Sequence, residues 1–101
     1  MNGRQFQFEW DEGKAAANMR KHGVPFDLAR TVFSDPQLLT VADLEHGDAG
    51  ERWFSVGCAS NGAVLSLVYL WSDTSAETTT IRIISARKAT RNELRHYQEG
   101  V

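Results

Sequence analysis

The 101 residues carry 11 basic and 13 acidic side chains, for a formal charge of −2; 42% are hydrophobic, 10% aromatic and 24% charged. This balance excludes a disordered chain. The length exceeds the roughly 40 residues below which staples are usually needed, but falls short of the about 200–250 of a barrel enzyme or two-domain dinucleotide enzyme, so a single domain over residues 1–101 is expected. The net charge taken alone speaks against a polyanion partner. It hides an asymmetry, however. Residues 31–80 hold Arg52 alone against seven acidic residues, whereas residues 81–101 hold Arg82, Arg87, Lys88, Arg91 and Arg95 against Glu93 and Glu99. A basic tail follows an acidic body.

In chain order, Gln5 to Trp10 alternates polar and apolar residues, with Phe6, Phe8 and Trp10 on one face, as a half-buried strand does. Asp11 is placed to N-cap a helix over residues 12–22, with Ala15, Ala16 and Met19 as its apolar stripe and Gly23 as its C′ residue. Pro25 opens a second helix at N1, in which Phe26, Ala29, Val32 and Phe33 recur at helical spacing, and Asp35-Pro36 stops it. Leu38 to Val41 reads as a short strand, residues 42–50 as a polar acidic loop, and Arg52 to Ala59 as a strand. Asn61-Gly62 is a strong hairpin signal. Ala63 to Trp71 and Thr79 to Ala86 are the next strands, joined by a polar loop over Ser72–Thr78. Thr90-Arg91-Asn92-Glu93 has the capping-box pattern and opens a last helix with Leu94 and Tyr97 on its buried side and Gly100 at its end. The expected fold is α+β, order β-α-α-β-β-β-β-α, an antiparallel sheet with two N-terminal helices and one C-terminal helix.

Cys58 stands alone, so it forms no intrachain disulfide and reads as a small buried hydrophobe. No apolar leader opens the chain and no run approaches 18 apolar residues; a reducing cytoplasm is the expected compartment.

Four stretches carry a family resemblance. They are Phe8-Glu9-Trp10-Asp11 with Lys14-Ala15 and Asn18; Lys21-His22-Gly23-Val24 with Phe26 and Ala29; Glu51-Arg52 with Gly57; and Arg82 through Arg91 with Glu93. In this order and spacing, from about residue 6 to residue 99, the sequence resembles the BrnT family of type II toxins. The resemblance implies a RelE-like fold and a small bacterial ribonuclease that inhibits translation when free and needs no cofactor. It implies a BrnA-like antitoxin as partner, with two toxins joined to an antitoxin dimer, and contact with operator DNA only through that antitoxin.

Metal-free RNA cleavage requires a base for the 2′-hydroxyl, an acid for the departing 5′-oxygen and fixed cations for the phosphorane. Arg82 sits on a strand whose Ile81 and Ile83 face the other way. Arg87 and Lys88 precede the capping box, and Arg91 lies in the first turn of a helix, where the dipole disfavours a cation. With the free N–H groups of that helix they suit phosphate; the plain alternative is a solvated basic face. Arg52 beside Glu51 is either an exposed ion pair or a phosphate clamp next to a general base. Lys21 and His22 suit a helix C-terminus, yet histidine is also the residue type suited to acid–base work near neutrality. His22, Glu51, Arg52, Arg82 and Arg87 are the candidate catalytic residues. Lys14, Lys21, Ser85, Arg91 and Tyr97 are the candidate substrate-binding residues, with core packing as the alternative for Tyr97. Which of His22, Glu51 and Tyr97 is acid and which is base stays open. Trp53 and Trp71 read as sheet core rather than base-stacking platforms. His46 with Asp43, Glu45 and Asp48 lacks the helical His pair of a zinc site, so no metal is expected. Two rival functions remain: an inactive interaction module of the same fold, and a helix-turn-helix DNA binder built from the first two helices. The second is weakened by Arg30 being the only cation between Phe26 and Phe33.

Overall fold

The computed structural model describes residues 5–42 and 52–100. The acidic loop with His46, and the candidate base Glu51, lie outside the described residues. The chain runs through β1 (Gln5–Glu9), α1 (Glu12–His22), α2 (Phe26–Ala29), a 3-10 helix (Arg30–Ser34), β2 (Leu39–Ala42), β3 (Arg52–Cys58), β4 (Val64–Asp73), β5 (Thr78–Lys88) and α3 (Arg91–Glu99). Local chemistry sets most of these boundaries. The Asp11 carboxylate accepts from the Lys14 backbone N–H at 2.9 Å, and Gly23, at φ 71°, donates its N–H to the Met19 carbonyl and ends α1. Thr90 and Glu93 cap α3 reciprocally.

The second helix departs from expectation. Pro25 is its N-cap rather than its first residue, and α2 lasts one turn before the backbone tightens into the 3-10 helix. The Thr31 hydroxyl donates to the Leu28 carbonyl at 2.6 Å, and β-branched Thr31 and Val32 disfavour further α-helix. A four-residue α2 is too short to serve as a DNA recognition helix, and the segment covers the sheet instead.

The five strands form one sheet in the order β1-β5-β4-β3-β2. From β5 to β2 the pairing is antiparallel, as hairpin connections dictate. The expectation of an antiparallel sheet fails at β1, which lies parallel to β5, Phe8 opposite Ile81 and Glu9 opposite Arg82. No hairpin ties β1 to a neighbour. Two helices carry the chain away to β2 at the opposite edge, leaving β1 to pair with the open side of β5.

One face of the sheet carries the core. Leu65, Leu67 and Tyr69 of β4 and Ile81, Ile83 and Ala86 of β5 are all at most 1% exposed, and they meet Phe26, Ala29 and Val32 from the helical segment. The stripe of α1 differs from the expected one. Asn18 is buried, whereas Met19 is 46% exposed and Ala16 is also exposed. Gly57 lies on this face of β3 beneath the 3-10 helix, where a Cβ would stand 2.5 Å from Leu38 Cδ1 and 3.1 Å from Val32 Cβ. Substituting Gly57→Ala is therefore expected to lower stability by about 1–3 kcal/mol, seen as a lower urea midpoint with an unchanged slope.

Candidate active site

The outer face of the sheet holds the candidate arginines in rows set by register. Arg52 of β3 and Arg82 of β5 flank Leu70 of β4, and Glu9 of β1 continues the row beyond Arg82. Two strand spacings separate the two arginine backbones, roughly 10 Å. The next row runs Phe54, Val68, Ser85, and the third Val56, Ser66, Arg87. Thus Phe54 is the aromatic that β3 turns to this face. Trp53 and Trp71 face the other way and, with Phe6, Phe33, Leu38, Thr40 and Tyr69, line an apolar hollow of about 350 Å³. The Trp53 Nε1 is buried there without a hydrogen-bond partner. Tyr69, with its hydroxyl 2.7 Å from Ser55 Oγ, has its pKa raised by burial. That hollow lacks the cations that RNA chemistry requires.

A β-bulge decides which arginines share the outer face. Val68 is opposite Ser85, but the next residue, Tyr69, is opposite Ile83, leaving Ile84 as an extra residue in β5. Arg82 and Arg87 are five positions apart, so a regular strand would turn them to opposite faces. The extra residue resets the alternation and brings both outward.

Three further candidates come from α1. Lys14, Lys21 and His22, with Ala17, Asn18, Ile84 and Ser85, line a hollow of about 190 Å³ between that helix and the bulge. The spacing of Lys14, Asn18 and Lys21 places them on one helical stripe. The side chains of Lys14, Lys21 and His22 are exposed and make no hydrogen bond or ion pair among the described residues.

The arginines differ in how firmly they are held. Arg82 Nη1 lies 3.1 Å from Glu9 Oε2, with both side chains well exposed at 39% and 52%, a screened pair that a phosphate can displace. Arg87 is bound bidentately to Glu93, at 2.8 and 2.9 Å, and Glu93 Oε1 also accepts from the Ser66 hydroxyl at 2.7 Å and the Thr90 N–H at 2.9 Å. Arg87 first, then Thr90 and Ser66, outweigh burial and hold the Glu93 carboxyl at about 2; the same pairing raises Arg87. The pair clasps α3, which has no fully buried residue, to the outer face. Arg91 is exposed in the first turn of α3. Tyr97 lies elsewhere: its hydroxyl donates to Asp35 Oδ2 at 2.6 Å, an oxygen that also accepts the Cys58 N–H at 2.8 Å. The Asp35 carboxylate, accepting its hydroxyl hydrogen, pushes the Tyr97 phenol up to about 12. Burial acts to raise Asp35, but Tyr97 and the N–H groups of Cys58 and Gln37 together leave it lowered.

In the sequence alone Asn18, Asp35 and Glu93 have no role beyond a matched motif, a helix stop and a cap. For Asn18 the available signal was an amide at i+4 from Lys14 and i−3 from Lys21. Among the described residues no cluster of three His, Cys, Asp or Glu side chains is gathered as a metal site, and no helix is long and apolar enough to cross a membrane.

Fold and site together define a small α+β protein with a cationic hollow between its first helix and a bulged strand. A sequence model described as the ribonuclease toxin BrnT of type II toxin-antitoxin systems matches residues 10–93. The chain belongs to the BrnT family of type II toxin-antitoxin ribonuclease toxins. Its fold is similar to the crystal structure of the Brucella abortus ribonuclease toxin BrnT, at 18% identity and a TM-score of 0.60, covering 86% of this chain and 99% of that one. No curated protein matches the sequence by direct comparison.

The Glu93 clasp has a pH signature. Its carboxyl is lowered from the ordinary 4.5 to about 2 in the fold, so its contribution to stability is complete above pH 4.5 and disappears as pH falls to about 2. Thermal melts between pH 7 and 2 are expected to show a steeper acid loss for the wild type than for Glu93→Gln, which is less stable at pH 7 and lacks this component.

Proposed function

We propose that this chain is a metal-independent endoribonuclease whose site is the hollow of Lys14, Lys21, His22 and Ser85 together with the Arg52–Arg82 row. The observation that carries the reading is the convergence of α1 cations and the β5 bulge at one place on an otherwise acidic chain. A base takes the proton of the 2′-hydroxyl, whose oxygen attacks the adjacent phosphorus. The bond to the 5′-oxygen then breaks, and an acid protonates the leaving oxygen, giving a 2′,3′-cyclic phosphate and a 5′-hydroxyl. Arg52 and Arg82 hold the non-bridging oxygens as charge grows on them. Lys14, Lys21 and the Ser85 hydroxyl hold the adjoining backbone, and Arg91 extends the cationic surface. His22 lines the hollow and is of the residue type suited to proton transfer near neutrality, with Glu51 as the other candidate. Arg87 contributes charge to the site while holding α3, and Tyr97 serves it only indirectly, fastening the far end of α3 through Asp35.

In the cell the reading gives a cytoplasmic, RelE-like toxin that inhibits translation and is neutralised by a BrnA-like antitoxin. Two toxins join an antitoxin dimer, which alone contacts operator DNA. The ion pairs already made by Arg82 and Arg87 favour one rival, an inactive module that retains the fold as a partner surface.

Incubating the purified chain with an RNA oligonucleotide in EDTA separates the two. The ribonuclease yields 2′,3′-cyclic phosphate ends in EDTA, and intact RNA would sink this reading. Changing Arg82→Ala or His22→Ala is expected to reduce cleavage by about 10²-fold or more and to relieve growth arrest, with circular dichroism spectra unchanged. Full toxicity in both variants would show that the site lies elsewhere.

A further inference from the structure

We infer that Asn18 is a positioning residue of the cleavage site, acting as a one-residue substitute for a missing strand. The inference rests on the ribonuclease reading above and assigns that site a part it does not yet include. Strand β1 pairs with β5 only as far as Glu9 opposite Arg82, while β5 runs on to Lys88. Past Arg82, the side of β5 that faced β1 has lost its partner strand. At Ala86, which is fully buried, an unpaired peptide group would be costly.

The Asn18 amide takes up both of its polar groups. Asn18 Nδ2 donates to the Ala86 carbonyl at 2.8 Å, and the Ala86 N–H donates to Asn18 Oδ1 at 3.1 Å. A primary amide presents the same donor and acceptor as a peptide unit, so this one side chain continues the ladder where β1 stops. Asn18 is 6% exposed, and Nδ2 also donates to the Val24 carbonyl at 3.0 Å, which ties down the turn that follows His22.

The position of this contact gives it a functional consequence. The bulge at Ile84 lies between Arg82, held by β1, and Ala86, held by Asn18. Both ends of the irregular segment are therefore fixed. The clamp also spans the two elements that supply the site: Lys14, Lys21 and His22 lie on the same helix as Asn18, and Arg82 and Ser85 on the strand it grips. Asn18 need not touch RNA. It sets the helix cations at a fixed place relative to the strand, and a misplacement of about 1 Å at such a site lowers rate by about 10²-fold.

Asn18→Asp and Asn18→Leu test this. Asp has nearly the volume of Asn, and Leu keeps the branched shape with two bulkier methyls in place of the polar atoms; the first accepts from Ala86 but cannot donate when ionised, and the second does neither. Cleavage of a short RNA is compared in the wild-type and His22→Ala backgrounds, with folding followed by circular dichroism. The expected result is a fall in kcat of about 10- to 100-fold in the wild-type background with little change in KM. In the His22→Ala background the same change removes less than about threefold, because the group being positioned is already gone. A substitution that merely lowered the folded fraction would reduce both backgrounds by the same factor, and that outcome overturns the inference. So does unchanged kcat in either folded variant, or the failure of both variants to fold, which would make Asn18 a residue of the fold alone. Amide exchange at Ala86 separates this inference from the ribonuclease reading. If the wild type cleaves no RNA, that reading fails and the positioning role with it, while faster exchange at Ala86 in the variants still verifies the clamp. If the wild type cleaves and Ala86 exchange is unaltered in the variants, only the present inference fails.

Discussion

One extra residue in β5 governs the outer face of the sheet. A strand has a side-chain period of two, so any odd separation along it divides residues between faces. Arg82 and Arg87 lie an odd distance apart, yet the bulge at Ile84 turns both outward and leaves Ala86 facing the core. The bulge occurs where β1 ends, and there the buried amide of Asn18 supplies the backbone partner that β1 does not. The arginine rows and the opening of Ser85 toward α1 follow from this junction.

The cations around the junction fall into two groups by what holds them. Arg87 is engaged twice by Glu93, which Ser66 and Thr90 also fix, so its guanidinium serves as the fastening of α3. That helix buries no residue completely, and polar fastenings therefore decide where it sits: Glu93 near its start and Tyr97, through Asp35, near its end. Arg82 has a solvated partner, and among the described residues Lys14, Lys21 and His22 make no side-chain contact of this kind, which leaves them available to an anion. A protein of net charge −2 thus concentrates positive charge along one side of α1, beside the solvated Arg82–Glu9 pair of the adjoining strand. The acidic remainder disfavours indiscriminate binding of nucleic acid.

Aromatic residues divide by face in a way that composition does not show. Trp53 and Phe54 are neighbours in sequence, and alternation sends Trp53 toward the apolar hollow with Trp71 and Phe33, and Phe54 toward the arginine rows. The reading of Trp53 and Trp71 as packing residues agrees with where they lie. For Phe54 no sequence signal distinguished one face from the other, because Trp53 beside it is apolar too and blurs the alternation.

What the amino-acid order determined by itself was whatever depends on neighbours within a few residues. Asp11 caps α1, Gly23 ends it, Asn61-Gly62 turns the hairpin and Thr90 with Glu93 starts α3, because each of these contacts closes within one turn of chain. The four motif stretches, read in order, also carried the family. Tertiary structure alone decided the rest. Pairing of β1 with β5 joins segments at opposite ends of the chain, and no hairpin specifies its direction. The second helix shortened under constraints of its own β-branched residues and of packing on the sheet. Asn18 and Ala86 are 68 residues apart, so an amide known only as part of a motif stretch gave no sign of completing a distant strand. Which side chains share a face depends on register, and register is settled only when the strands pair.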